Sequence, residues 1–308
     1  MEQPKRITPV MISPALLSLR GVTGVALAAG LLTAAAGCTP TRPARPKTSS
    51  FATPAAEGEA VDRPFVFLPP IELSSREGAK DDGIVRIVSS HVTCTGSLID
   101  EDLVLTAHHC VAERDENRRP TGKDVDPESI LVELGGDYLS WGEVKVRAIV
   151  SPDCGYLKGH GDIAILVLKR KLIGVATLTP RLDSPARGSL GGRPGEFIIP
   201  IGFGRCALSR DAIKRERRTG GIIESVGATD FTLQASICPG DSGGPALVRG
   251  TDEVVGVISS SMMDGDDDTL APSFFTRLDL WRQLFSAAQE IANGASPSEL
   301  PPFRSCAP

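Results

Sequence analysis

The sequence carries no basic excess: 33 Lys and Arg stand against 38 Asp and Glu, for a net charge of −5. A surface that neutralises phosphates shows the opposite balance, so a general nucleic-acid binder is excluded. No H-E-x-x-H stretch and no paired C-x-x-C is present, which removes the usual helical and knuckle signatures of zinc sites; no metal or cofactor is expected. Helical patterns are missing between the β-like runs, which argues against a doubly wound parallel sheet. There is no internal repeat. Histidine is scarce, with four in the chain, and two of them, His108 and His109, stand side by side in "LTAHHC". The one long uncharged apolar stretch, Gly21 to Gly37, is short and alanine-rich for a stable membrane span.

That stretch follows Lys5, Arg6 and Arg20 and ends in small residues directly before Cys38, which is the layout of a secretory signal. "AAGC" resembles the lipobox of bacterial lipoproteins, with Ala35 where leucine is usual. The resemblance implies lipidation at Cys38 and attachment to the cell envelope, with simple secretion as the alternative. Residues 39–80 are rich in Pro, Ala and Thr, lack hydrophobic periodicity and read as a flexible tether after a signal at 1–38. Of seven cysteines, Cys38 apart, six remain, enough for three bridges in an oxidising compartment.

Beyond the tether, short runs rich in Val, Ile, Leu and Thr alternate with Gly, Pro and Asp clusters, among them "GIVRIVSS", "CTGSLI", "LVLTA", "IAILVL" and "EVVGVISS". This punctuation indicates an all-β domain, assigned to residues 81–293. Only its end is helical: from Asp279 as N-cap, Leu280, Leu284, Phe285, Ala288 and Ile291 fall near helical spacing. Residues 294–308 form a loop-like tail.

Three separated stretches carry chemistry. "CPGDSGGPAL" puts Ser242 in a glycine-rich turn, "HGDIAILVL" puts Asp162 before an apolar strand, and "LVLTAHHC" puts a histidine after another. A serine hydroxyl needs a base within hydrogen-bond reach, and the base needs a carboxylate that fixes its tautomer. A tight glycine turn lets backbone N–H groups converge on a developing oxyanion. In the order His, Asp, Ser, these motifs resemble those of the trypsin-like (chymotrypsin-fold) serine proteases. The resemblance implies two six-stranded antiparallel Greek-key β-barrels with the active site between them, followed by a C-terminal helix. It also implies a monomer acting on polypeptide substrates by way of an acyl-enzyme. A catalytically silent binding protein on the same fold is the alternative.

Carried over residue by residue, the resemblance implies His109 as general base, Asp162 as its partner and Ser242 as nucleophile. The N–H groups of Gly240 and Ser242 would form the oxyanion hole, Asp241 would hold the loop and Ser259 would support Asp162. "TCTGSLI" resembles the family's "CGGSLI", so Cys94 is expected to bridge Cys110. Cys238 is paired with Cys206, which departs from the vertebrate pattern and leaves Cys154 with Cys306. Ser236 falls at the base of the specificity pocket, with Ser261 and Ser273 near its walls. Serine at the base removes the charge that would favour Lys or Arg, and small or medium uncharged residues are expected instead. His108 is expected to face away from the cleft, adjacent residues of an extended segment pointing oppositely. Asp264, Asp266, Asp267 and Asp268 read as a solvated acidic loop, and "KRERR", Lys214 to Arg218, as a solvated basic hairpin. No Ile-Val-Gly-Gly start is found upstream. Either a cut between Leu73 and Asp82 frees a terminus for Asp241, or the loop is organised without one.

Overall fold

The computed structural model describes residues 71–72, 80–90, 92–136, 140–152, 161–183, 192–206, 213–262 and 269–297. The expectations placed on Cys38, Cys154, Cys306, the acidic loop and the C-terminal tail beyond Pro297 lie outside the described residues.

Six strands close a barrel: β1 (Ile84–Val88), β2 (Thr93–Asp100), β3 (Leu103–Thr106), β4 (Leu131–Leu134), β5 (Gly142–Val150) and β6 (Ala164–Leu168), in the order β1-β2-β3-β6-β5-β4. All pairings within it are antiparallel, with β1 closing onto β4. The strand β5 shows why such a sequence folds this way. Val144, Val146, Ala148 and Val150 are buried on one face while Glu143, Lys145, Arg147 and Ile149 alternate on the other. By contrast β6 is buried at all five positions, because a helix covers its outer face.

That helix, α1 (Arg282–Ala292), contributes Leu284, Phe285, Ala288 and Ile291 to the first barrel's core cluster. Eleven residues are too few for a stable isolated helix, so burial of these side chains, about 1.5–3 kcal/mol for each large one, holds it. Arg147 Nη2 donates to the Ile291 carbonyl at 2.5 Å and fastens the helix end to β5. The helix starts later than its spacing suggests. Asp279 does not cap it: both its oxygens are taken by Arg277, at 3.0 and 2.7 Å, and Leu280 is exposed. A buried guanidinium outcompetes a cap for that carboxylate.

The second half is a nine-stranded sheet built on β7 (Phe197–Gly202), β8 (Asp230–Ala235), β9 (Pro245–Val248), β10 (Glu253–Ser261) and β11 (Ala271–Arg277), paired in the order β7-β9-β10-β11-β8. Two-residue strands extend its edges, and the edges are drawn together where Ser236 N donates to Thr219 O at 3.0 Å and Glu224 N to Thr232 O at 2.9 Å. A separate core fills it, centred on Phe231 and Phe275, whose rings stack with centroids 5.2 Å apart. Among the described residues the fold is thus mostly β, with a single α-helix toward the C-terminal end, as the resemblance implies. No described helix is long and apolar enough to cross a membrane.

Candidate active site

His109 sits on a single 3₁₀ turn, His108–Cys110, at the end of β3. Its backbone N–H donates to Asp162 Oδ1 at 2.9 Å, and its Nδ1 lies 2.8 Å from Asp162 Oδ2. An ionised carboxylate only accepts, so Nδ1 carries the ring proton and Nε2 is left as the basic nitrogen. Asp162 is fully buried just before β6. Ser259 Oγ donates to the same Oδ2 at 2.5 Å, and Thr276 Oγ1 donates to the Asp162 carbonyl at 3.0 Å. Burial pushes the Asp162 carboxyl up, but the charge of His109 and the hydrogen bonds from His109 and Ser259 outweigh it and hold the group below the usual carboxylate range.

Ser259 reaches Asp162 because β10 is irregular there. Ile258 pairs with Phe275 and Ser260 with Phe274, so Ser259 is an extra residue and the strand turns its hydroxyl toward the first barrel. A bulge beside a site commonly re-aims one side chain in this way.

Ser242 is half-buried on the turn between Cys238 and Gly244. Gly240 has φ +106 and Gly243 φ +84, and a Cβ on Gly243 would stand 2.2 Å from Thr106 Oγ1 and 2.3 Å from Thr95 O. Only glycine fits that approach. The turn is tied down from both halves: Thr95 N donates to Ser242 O at 2.8 Å, Thr95 Oγ1 to Gly240 O at 2.8 Å, and Gly243 N to Ile258 O at 2.8 Å. Among the described residues, the N–H groups of Gly240 and Ser242 have no protein acceptor. The sulfurs of Cys94 and Cys110 are joined at 2.06 Å, and Cys110 Sγ touches both His109 Nε2 at 3.7 Å and Ser242 O at 3.6 Å. The imidazole of His109 and the backbone of Ser242 thus meet at one disulfide. Cys94, His109 and Cys110 are also close enough to suggest a metal site, but two sulfurs spent on a bridge offer no thiolates. Cys206 and Cys238 are bonded as well, beside the turn that carries Ser242.

Ser236 directly follows β8 and is buried, with its Oγ accepting from Thr219 N at 3.2 Å. Ser261 and Ser273 face each other across β10 and β11, Oγ to Oγ 3.0 Å, and Ser273 Oγ lies 3.3 Å from the carbonyl of Ala235, the residue before Ser236. The three hydroxyls therefore line adjoining strands.

Two sequence expectations are corrected. His108 does leave the cleft, but through the 3₁₀ turn rather than an extended segment. It is fully buried, with Nε2 2.7 Å from Asp124 Oδ1, and Ser151 Oγ donates to the same carboxylate at 2.8 Å. The basic run is only partly solvated: Lys214 and Arg217 are exposed, whereas Arg215 and Arg218 are largely covered. Arg215 pairs with Asp82 at 3.0 Å, Arg217 with Asp81, and Arg218 turns inward, its side chain 9% exposed, onto the buried carboxylate of Asp241. Burial, the largest influence, pushes the Asp241 carboxyl up, and Arg218 with the N–H groups of Cys238 and Gly204 only partly offsets it. Residues the motifs missed are Thr95, Thr276, Asp124 and Arg218. For the first of these a signal existed, since "CTGSLI" has threonine where the resembling motif has glycine.

Comparison with known proteins matches residues 76–283 to the family described as Trypsin. Serine protease SP24D of Anopheles gambiae is 31% identical over 195 residues, covering 59% of this chain and 67% of that protein. Cathepsin G of Mus musculus is 27% identical over 206 residues, covering 60% of this chain and 70% of its own length. Among solved structures, a Glu endopeptidase in complex with MPD aligns with a TM-score of 0.53 at 18% identity, over 71% of this chain and 96% of that one, a likeness of fold alone.

Proposed function

This chain belongs to the trypsin family of serine endopeptidases, and from that premise we propose that Ser242, His109 and Asp162 carry out its hydrolysis of polypeptides. The observation that carries the assignment is the double attachment of His109 to buried Asp162, through N–H and Nδ1, which leaves Nε2 as base. Ser242 Oγ attacks the scissile carbonyl carbon as Nε2 takes its proton. The N–H groups of Gly240 and Ser242 bind the oxyanion. The imidazolium, stabilised by Asp162, then protonates the departing amine, and an acyl-enzyme remains on Ser242. Water, deprotonated by the same Nε2, attacks that ester, and collapse returns the proton to Ser242.

Ser236, Ser261 and Ser273 would form a narrow, neutral pocket. No carboxylate among the three awaits a Lys or Arg side chain, and their hydroxyls are engaged with Thr219 and with each other. Small or medium uncharged residues fit such a slot. A peptide-library digest by wild type and Ser242→Ala tests both statements. Cleavage by wild type after such residues, absent in the variant, is expected; cleavage concentrated after Arg or Lys would refute the pocket, and equal cleavage by the variant would refute the nucleophile.

Export is supported by the signal-like first segment and by two disulfides, which persist in oxidising compartments. Attachment through a lipidated Cys38 rests on the sequence pattern. The mass and first residue of the mature chain test it: an amino-terminal lipidated Cys38 is expected, and an unmodified start elsewhere would refute the anchor.

A further inference from the structure

Asp241 lies between the two residues whose N–H groups are assigned to the oxyanion, so whatever holds its side chain holds them. That carboxylate is fully buried and completely occupied. Oδ1 accepts from Gly204 N at 2.7 Å and from Arg218 Nη2 at 3.1 Å, and Oδ2 accepts from Cys238 N at 2.9 Å. Arg218 Nε stands 2.8 Å from Oδ2 as an ion-pair contact off the hydrogen-bond line. The rest of the guanidinium is also spent, Nη1 on Glu216 Oε2 at 2.7 Å and Nη2 on the Gly204 carbonyl at 2.5 Å. No room is left around the carboxylate: a Cβ on Gly204 would stand 2.5 Å from Oδ2, and one on Gly202 2.4 Å from Oδ1.

A second brace comes from the first barrel. Thr95 is fully buried; its Oγ1 donates to Gly240 O and accepts from Phe203 N at 2.9 Å, while its N–H holds Ser242 O. The carbonyls on both sides of Asp241 are therefore fixed by one residue. Meanwhile Asp81 and Asp82, just before β1, are tied by the same basic run to Arg217 and Arg215.

We propose that Arg218 is a built-in counter-ion that, with Thr95 as brace, holds the Gly240–Gly243 turn in its oxyanion-binding shape, so that the intact chain reacts without proteolytic release of a new amino terminus. This rests on the assignment of Ser242 as nucleophile. Arg218 acts as a positioning residue, touching Asp241 rather than substrate. The chemistry of the counter-ion gives it a signature: a guanidinium keeps its proton at any pH the fold survives, whereas a terminal amine loses its charge near pH 8 and a lysine near pH 10, roughly.

The test is fluorophosphonate labelling of the full chain, its integrity verified by mass, from pH 7 to about pH 11, beside Arg218→Lys and Arg218→Ala. Intact wild type should label at a rate that stays level through about pH 10.5, while Arg218→Lys loses rate as its ammonium deprotonates. Arg218→Ala should label on the order of 100-fold slower, with the loss in the chemical step rather than in reagent binding. If the alanine variant fails to fold, the lysine profile decides. Labelling of wild type only after the chain is cut would overturn the proposal, as would wild-type rate in Arg218→Ala or identical alkaline limbs for wild type and Arg218→Lys. If no form of wild type reacts, cut or intact, it is the assignment of Ser242 that fails.

Discussion

The two adjacent histidines are expected to fail in different ways. His108→Ala removes a fully buried imidazole whose Nε2 is 2.7 Å from Asp124. Truncation at a buried site costs about 2–4 kcal/mol when the cavity does not collapse. The lost hydrogen bond adds only about 1 kcal/mol, because the Asp124 side chain is 30% exposed and water can replace the ring. Against this, His108 Nδ1 is buried with no acceptor among the described residues, and its removal returns about 1 kcal/mol. The net is roughly 3 kcal/mol, a fall of about 6–12 °C in Tm for a domain of this size. Ester hydrolysis at 20 °C should nonetheless keep a kcat within a few-fold of wild type, roughly, since Asp162 and His109 do not depend on that ring. His109→Ala should do the reverse, with a small fall in Tm and a loss of roughly four to six powers of ten in kcat. Calorimetry and single-turnover ester kinetics on both variants decide it. Loss of activity in a folded His108→Ala, with activity kept in His109→Ala, would shift the base by one residue and refute the register of the whole site.

Ser259→Ala removes the donor 2.5 Å from Asp162 Oδ2 and leaves a buried oxygen short of a partner, so kcat should fall about 10-fold with KM unchanged in steady-state assays. Gly243→Ala forces a Cβ against Thr106 and the Thr95 carbonyl at a positive φ, and should lose more than about 3 kcal/mol in urea melts together with most activity. The depressed carboxyl of Asp162 contributes stability that is full above about pH 3.9 and is lost as pH falls through its lower folded value. The difference in urea midpoint between wild type and Asp162→Asn should therefore shrink as the pH is lowered below 4, roughly, and a constant difference would contradict the assigned charge state.

The first barrel was legible because its strands follow alternation and turn chemistry that are local in sequence, as in "GEVKVRAIV", where every second side chain is buried. The motifs around His109, Asp162 and Ser242 were legible for a similar reason, each being a short stretch whose residue types the chemistry demands. What escaped was long-range. Nothing local in "KRERR" distinguishes Arg218, which turns inward, from Arg217, which pairs at the surface; the choice is made by Asp241, 23 positions away. His108 leaves the cleft as expected, but its burial against Asp124, 16 residues on, was not legible for the same reason. Asp279 followed the local rule for a helix cap, and the rule lost to a guanidinium two residues before it.

The central claim is that Ser242, activated by His109, is the nucleophile. The most direct measurement is mass mapping of the adduct left by a fluorophosphonate on the purified, folded chain. The account predicts one adduct, on the peptide containing Ser242, formed by wild type and His108→Ala and absent from Ser242→Ala and His109→Ala. An adduct on any other residue, or labelling that persists without His109, would contradict it.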